Sequence, residues 1–317
     1  MDALKLNERA AKVAQAMADR SVELGLVVHD IGGARVIDAG VKTVGSLGAG
    51  LELARVCLAD LASLNWSSMN VGDLSLPVVA VEVRHPVAAC MASQYAGWQV
   101  SVDTFFAMAS GPMRAAYGKE TIYDHIGHRE VGSKVAVGVL ETSKLPSAAV
   151  VDELAQKCNV TPAQLTLVVA RTASLAGGVQ VVARSVETAM HKLHTLGFDL
   201  NRVVAGFGEA PLPPVAKDDL AAIGRTNDAV LYGGRVTLMV RGDDASLEKV
   251  CGELPACASK DYGRPFGEIF TSYHHDFYKI DPLLFSPAMV CLQNIDTGRT
   301  YFAGRMDQDI LVRSFIS

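Results

Sequence analysis

The sequence predicts an α/β fold, and three observations carry that reading. Apolar β-branched runs alternate with stretches of helical period: SKVAVGVLET, LPSAAVVDELAQKCNV and TPAQLTLVVAR follow one another as strand, helix and strand. Glycine-rich turns recur between strand and helix near 45, 110 and 177. Half of the 317 residues are hydrophobic and one fifth are charged, which is the composition of a packed globular chain. This length calls for one large or two medium domains. A division into 1–150 and 151–317 is expected, with domains that are discontinuous if both termini are packed elements.

Residues 5–24 read as one amphipathic helix, with Leu6, Ala10, Val13, Ala14 and Met17 on a single face. LGLVVHDIGGARVIDAGV is a hairpin about the two-residue signal Gly32-Gly33. VGSLGAGLELARVCLADL is a glycine-rich loop feeding a helix. Gly45, Gly48 and Gly50 match neither the dinucleotide nor the Walker A spacing, so the loop reads as a tight turn. Residues 65–84 give two strands, and Pro86 suits the start of a helix through PVAACMASQYAGWQV. FFAMASGPMR reads as a turn and the start of another helix. After RVVAGFGE, a strand, the prolines of APLPPVAKD exclude helix. A short helix DDLAAIG follows, then RTNDAVLYGGRVTLMVRG, ending in a strand, then the helix SLEKVCGEL. The irregular stretch from 257 to 281 has the polar-aromatic composition of a site-bearing loop. PAMVCLQNIDTGRTYFAGRMD is a hairpin with its turn at Asp296-Thr297-Gly298.

Composition narrows the function. Net charge is −5, and no basic block offers a footprint for nucleic acid. The six cysteines show no CxxC spacing and sit mostly among apolar neighbours, as reduced thiols in a cytoplasmic protein do. The first twenty residues lack the apolar core of a signal peptide, and no apolar run is long enough for a membrane span.

The informative stretch is RTASLAGGVQVVARSVETAMHKLHTLGF, residues 171–198: a Ser/Gly turn, a β-branched run, then an amphipathic helix. Val182, Val186, Ala189, Met190, Leu193 and Leu196 share one face, and Gly197 suits the residue after the C-cap. The opposite face carries Arg184, Glu187, His191 and His194. Arg184 and Glu187 are i,i+3 neighbours, so their charges can meet. Two readings stand side by side here: an ordinary surface ion pair, and a water-activating carboxylate held by an arginine. The spacing of Glu187, His191 and His194 also admits a metal site, although the HExxH order is missing. His274-His275-Asp276 is a second such cluster. No GxSxG elbow and no cysteine–histidine pairing is present, so direct attack by water fits better than an acyl-enzyme.

Taken together, VIDAGVKTVGSLGAG, HPVAACMASQYAGWQV, FFAMASGPMRA, RTASLAGGVQVVARSVETA, RTNDAVLYGG, SKDYGRPFGEIF, DFYKIDPLLFSPA and TGRTYFAGR resemble methenyltetrahydromethanopterin cyclohydrolases, in order and over nearly the whole chain. The resemblance implies two α/β domains with a large pocket between them, a cytoplasmic homotrimer, and no cofactor or metal, the pterin being the substrate. It implies the interconversion of a cationic 5,10-methenyl pterin plus water with the N5-formyl pterin and a proton. The family's Arg-x-x-Glu pair falls on Arg184 and Glu187. Glu187 would activate water and Arg184 would orient it, a neighbouring cation favouring the ionised carboxylate. Within the resembling stretches, Thr172, Ser174, Gln180, Asn227, Asp228, Asp261, Tyr262 and Phe285 are candidates for holding the pterin, with His85, Gln94 and Tyr95 at the rim. Ala183, Ser185 and Tyr95 depart from the archaeal pattern, and Tyr95 in place of a basic residue would suit a less anionic substrate tail. The rival readings are a metal-dependent amide hydrolase using Glu187, His191 and His194, and a non-catalytic pterin-binding protein.

Overall fold

The computed structural model describes residues 4–316. In chain order it contains α1 (Leu6–Asp19), α2 (Ser21–Leu24), β1 (Val27–Ile31), β2 (Ala34–Gly40), α3 (Leu47–Cys57), β3 (Ala62–Val71) and β4 (Leu74–Val83). A π-helix (Val87–Gln94) leads to β5 (Trp98–Val102), β6 (Phe105–Ser110), α4 (Met113–Tyr117), α5 (Ile122–Ile126), β7 (Ala136–Glu141), α6 (Ala148–Lys157) and β8 (Leu165–Ala170). Next come α7 (Leu175–Val182), α8 (Ser185–Thr195), β9 (Val203–Pro211), α9 (Asp219–Gly233), β10 (Arg235–Val240) and α10 (Asp244–Glu253). The chain finishes with α11 (Phe266–Ser272), β11 (Met289–Asn294), β12 (Thr300–Gly304) and α12 (Gln308–Ile316).

The chain divides into two compact units, Met1–Ala62 with Ala88–Gln180, and Ser63–Val87 with Val181–Ser317. Both are discontinuous. The expected boundary at 150 falls inside α6, within the first unit. Each unit carries one six-stranded sheet of the described residues, so the α/β expectation holds for both.

The first sheet runs β1-β2-β8-β7-β6-β5. Its centre, β2, β8 and β7, is parallel, and the outer pairs are antiparallel. Strands covered on both faces must be apolar on both faces. Ile37, Ala39, Val137, Val139 and Val168 pack with α1 and α3, while Val36, Leu140, Leu167 and Val169 pack with residues of α4 and α6. The turn after β2 is held by Asp38, whose carboxylate accepts from the N–H groups of Gly40, Val41 and Lys42. Ser46 caps α3 through the Ala49 N–H, so the glycine-rich loop is the tight turn its sequence predicts.

The second sheet runs β12-β11-β10-β9-β4-β3; β10 and β11 pair parallel, while β12 with β11, β10 with β9 and β9 with β4 pair antiparallel. One face, bearing Val236, Leu238, Val290 and Leu292, is buried. On that face Gly206 and Gly208 of β9 lie under the start of α8. A methyl on Gly206 would come within 2.7 Å of Val186 Cγ1; one on Gly208 would overlap Ser185 Oγ and lie 2.9 Å from Val186 Cγ2. The two glycines therefore let the first turn of α8 rest on the strand backbone.

Several elements differ from the sequence expectation. The first helix breaks at Arg20, and a single turn, α2, completes it before Gly25 at φ 68°. The helix expected after Pro86 is a π-helix ending at Gln94, with the Tyr95 N–H bonded to Cys90 O at 2.7 Å. Trp98–Val102 and Phe105–Ser110 form a hairpin, because Trp98, Val100, Phe105, Ala107 and Ala109 alternate into the core with period two. The β-branched run 179–182 is helical: Val179 sits against Gly50, where a Cβ would be 2.5 Å away, and this packing outweighs its strand propensity. DDLAAIG is only the first part of α9, which continues through RTNDAVLYG.

The glycine seat is testable. Gly208→Ala is expected to cost about 1–3 kcal/mol in urea unfolding through overpacking. Gly208→Ala with Ser185→Ala should recover part of that loss, and equal losses in the two variants would contradict the assigned contact.

Candidate active site

Arg184 is the N-cap residue of α8, and Glu187 lies in its first turn. A carboxylate there faces the positive end of the helix dipole. Arg184 Nη1 stands 3.9 Å from Glu187 Oε2, and the side chains are only 10% and 6% exposed. At that distance the two form an ion pair rather than a hydrogen bond. Residues 182–187 are all buried, so this is no solvent-facing pair. Among the described residues no hydrogen-bond partner reaches Ser185 Oγ, which rests against Gly208.

Further along α8, burial, with the charge of nearby His194 adding to it, pushes His191 down to about 4. Lys192 is fully buried and donates to Leu283 O, and burial pushes it down to about 8. Among the described residues no group of three or more His, Cys, Asp or Glu is placed to hold a metal ion. Glu187, His191 and His194, and likewise His274, His275 and Asp276, are therefore not gathered as ligand sets.

The remaining candidates of the second unit have mostly structural partners. Asp228 Oδ1 accepts from Phe266 N–H at 2.7 Å, closing the start of α11, where Pro265 offers no capping side chain. Burial pushes Asp228 up to about 7. Asn227 donates to Ile223 O one turn back. Asp261 accepts from Tyr273 and from the Asp281 N–H. Tyr262 packs on Tyr232 with ring centres 4.9 Å apart, and Phe285 meets Phe266 edge-on at 5.8 Å. His85 is exposed in the turn after β4.

In the first unit Ser174 donates to Arg171 O and accepts from Gly177 N–H, so it starts α7. Thr172 and Gln180 converge on one carboxylate, Glu141 at the end of β7: Thr172 Oγ1 donates to Oε1, and Gln180 Nε2 to Oε2 at 3.2 Å. Gln94 is buried at the end of the π-helix. The next residue, Tyr95, stacks under the Arg114 guanidinium, 4.9 Å from the ring centre. Arg114 is itself fully buried, paired with Glu120 at 2.7 Å and donating to Met91 O at 3.1 Å. A basic group thus stands beside Tyr95, although the sequence offers none at 95.

Sequence reasoning missed Glu141, Arg114 and Glu120. Glu141 carried a signal, an acid closing the apolar strand VAVGVLE. Arg114 and Glu120 carried none, since a buried pair and a surface pair look alike in a sequence.

Comparison with known proteins decides the family. Residues 5–315 match the family described as Cyclohydrolase (MCH). The chain belongs to this cyclohydrolase family. It is similar to the methenyltetrahydromethanopterin cyclohydrolase of Rhodopirellula baltica, 47% identical over 314 residues, 98% of this chain and 94% of the relative. The enzymes of the same name from Methylobacillus flagellatus and Methanosarcina barkeri are 42% and 41% identical, each over 98% of this chain and over 95% and 98% of their own lengths. Family membership covers both units, including the stretch that carries Arg184 and Glu187. None of the helices of the described residues is long and apolar enough to cross a membrane.

The depressed His191 gives a pH test. Unfolded, it titrates near 6.5. Between 6.5 and 4 the unfolded chain binds a proton that the native chain does not. His191 therefore costs no stability above pH 6.5, and its contribution falls by about 3 kcal/mol on acidification to pH 4. Urea titrations of His191→Gln should show a flatter acid limb than the parent; superimposable limbs would contradict the burial assigned to this imidazole.

Proposed function

We propose that this chain interconverts 5,10-methenyltetrahydromethanopterin and water with N5-formyltetrahydromethanopterin and a proton, at Arg184 and Glu187. The observation that carries this is the buried guanidinium–carboxylate pair at the head of α8, in a chain of the cyclohydrolase family. The methenyl carbon lies between two nitrogens and shares their positive charge, so it is already electrophilic. It requires one oriented water and a group to take a proton. Glu187 takes that proton as the C–O bond forms, and its charge stabilises the cation before attack. Arg184, 3.9 Å away, holds the carboxylate in place and directs a hydrogen bond to the water. The resulting carbinolamine collapses by breaking the bond from carbon to N10: the proton held by Glu187 passes to N10, and the carbinol hydroxyl gives up its proton to the freed carboxylate as C=O forms, the net proton that is then released to water.

This chemistry needs neither a cofactor nor a metal, and the reading includes none. Thr172, Gln180, Gln94 and Tyr95 are proposed to serve the pterin, with Asn227, Asp228, Asp261, Tyr262 and Phe285 shaping the surrounding walls. A homotrimer in the cytoplasm completes the proposal. What supports self-association is one row across the second sheet, Phe207, Thr237, Cys291 and Phe302, paired strand to strand on the face opposite Val236 and Leu238. Phe302 is 80% exposed there and Phe207 40%, apolar area that a second copy of the chain would cover.

The test is turnover followed by loss of the methenyl absorbance. Glu187→Gln is expected to lower kcat by roughly 100- to 10,000-fold, the range for a general base, while a chelator leaves the parent enzyme unchanged. Near-normal turnover in Glu187→Gln would remove Glu187 from the mechanism, and loss of activity on chelation with zinc in the purified protein would favour a metal-dependent hydrolase.

A further inference from the structure

We infer that Lys192 is a positioning residue for the reaction: its bond to Leu283 O fixes where α8 lies along β9, and so where Glu187 presents its carboxylate. This role rests on the reading of Glu187 given above, and every residue it uses belongs to the second unit.

Lys192 is fully buried, five residues beyond Glu187 on α8. That spacing turns it about 140° around the helix, so it faces away from the reacting groups and acts on them through the backbone. Its amine carries several donors, and among the described residues the acceptor that meets it is Leu283 O. No carboxylate of the described residues pairs with it. Burying an amine on so few partners is costly, and an apolar side chain of the same length would cost less. What lysine adds is a directed bond from the helix to another segment. Burial pushes it down to about 8, against the opposing charges of Asp281, Cys257 and Glu253, the titratable groups that face it. The bond is thus charge-assisted below pH 8 and weaker above it.

The acceptor is itself braced. Leu283 belongs to the single turn Pro282–Leu284, and its N–H donates to Asp281 Oδ1 at 3.1 Å. Asp281 Oδ2 accepts from Ser259 Oγ at 2.6 Å. The Asp281 N–H donates to Asp261 Oδ2 at 2.9 Å, and Asp261 also accepts from Tyr273. The other end of α8 has a seat of a different kind. Val186 and Ser185 rest on Gly206 and Gly208, and Ser185 Oγ meets no hydrogen-bond partner there. Packing of that sort sets the height of the helix above the strand and leaves it free to slide. Thr188 and Thr195 bond back to carbonyls of α8 itself, Ser185 O and His191 O, and so add no tie to a neighbour. Lys192 crosses from the helix to a fixed carbonyl, which opposes sliding. A displacement of about 1 Å at a reacting group can cost on the order of 100-fold in rate, so this tie bears on the chemistry.

Lys192→Met keeps the length of the stem and removes the donor. With methenyltetrahydromethanopterin its kcat should fall roughly 10- to 100-fold while KM stays within about threefold, the pattern of a misplaced reacting group. Its urea midpoint should equal or exceed the parent's, because a buried amine leaves the core. A merely structural tie would instead lower the midpoint and spare kcat. Corrected for uncatalysed loss of the methenyl absorbance, parental kcat should decline above about pH 8, and that alkaline limb should be absent from Lys192→Met. Lys192→Gln, uncharged over the whole range, serves for both readouts if Lys192→Met does not fold. A folded variant with parental kcat, or one that keeps the parental alkaline limb, would overturn the role. Glu187→Gln is measured beside them. If it turns over at near the parental rate, the reading of Glu187 falls and this role with it. A slow Glu187→Gln beside a Lys192→Met of parental kcat removes the role of Lys192 alone.

Discussion

The proposed chemistry depends on a guanidinium and a carboxylate kept out of water at the first turn of one helix. Such a pair is costly to desolvate, and removing either partner leaves a buried charge uncompensated. It persists only where the surroundings hold both groups in place. Here the helix start supplies favourable backbone dipoles to Glu187, and β9 supplies a seat. With Gly206 and Gly208 on its covered face, the strand admits Val186 and Ser185 directly onto its backbone. Farther down the helix, buried Lys192 donates to Leu283 O and ties α8 to the segment before β11. The pair is thus anchored at both ends of the element that carries it.

The first unit shows the same economy around a different group. Its parallel strands end level, and the turns that follow them are built from side chains bonding to backbone: Asp38 after β2, and Ser174 after β8. Ser174 starts α7 by this means. Thr172 and Gln180 both donate to one carboxylate, that of Glu141 at the end of β7.

Much of the fold was legible. The hairpin at Gly32-Gly33, with both glycines at positive φ, the strand–helix–strand run through 136–170 and the stop at Gly197 all follow from local chemistry. What failed was short and apolar. VQVV is helical because Val179 fills the space beside Gly50, a contact that no window of sequence contains. The hairpin of WQVSV and FFAMAS is missed, since the expected helix runs on through Trp98–Val100 and FFAMASGPMR reads as a turn and helix start, although the apolar residues alternate. The π-helix is invisible to a 3.6-residue template. Of the site, Arg184 and Glu187 stood out by spacing and by family resemblance. Their burial did not, since the face they share with His191 and His194 is polar in composition and reads as a solvent face. The sequence also gave no sign that Asp228 closes the start of α11 or that Phe285 packs edge-on against Phe266.

The central claim is that Glu187 acts on water rather than simply holding the ligand. The most direct measurement is the spectrum of methenyltetrahydromethanopterin mixed with excess Glu187→Gln protein, with binding followed in parallel. If Glu187 is the base, the pterin binds and its methenyl absorbance persists over many parental turnover times. Absorbance that disappears at the parental rate, or a variant that no longer binds the pterin at all, would contradict that role.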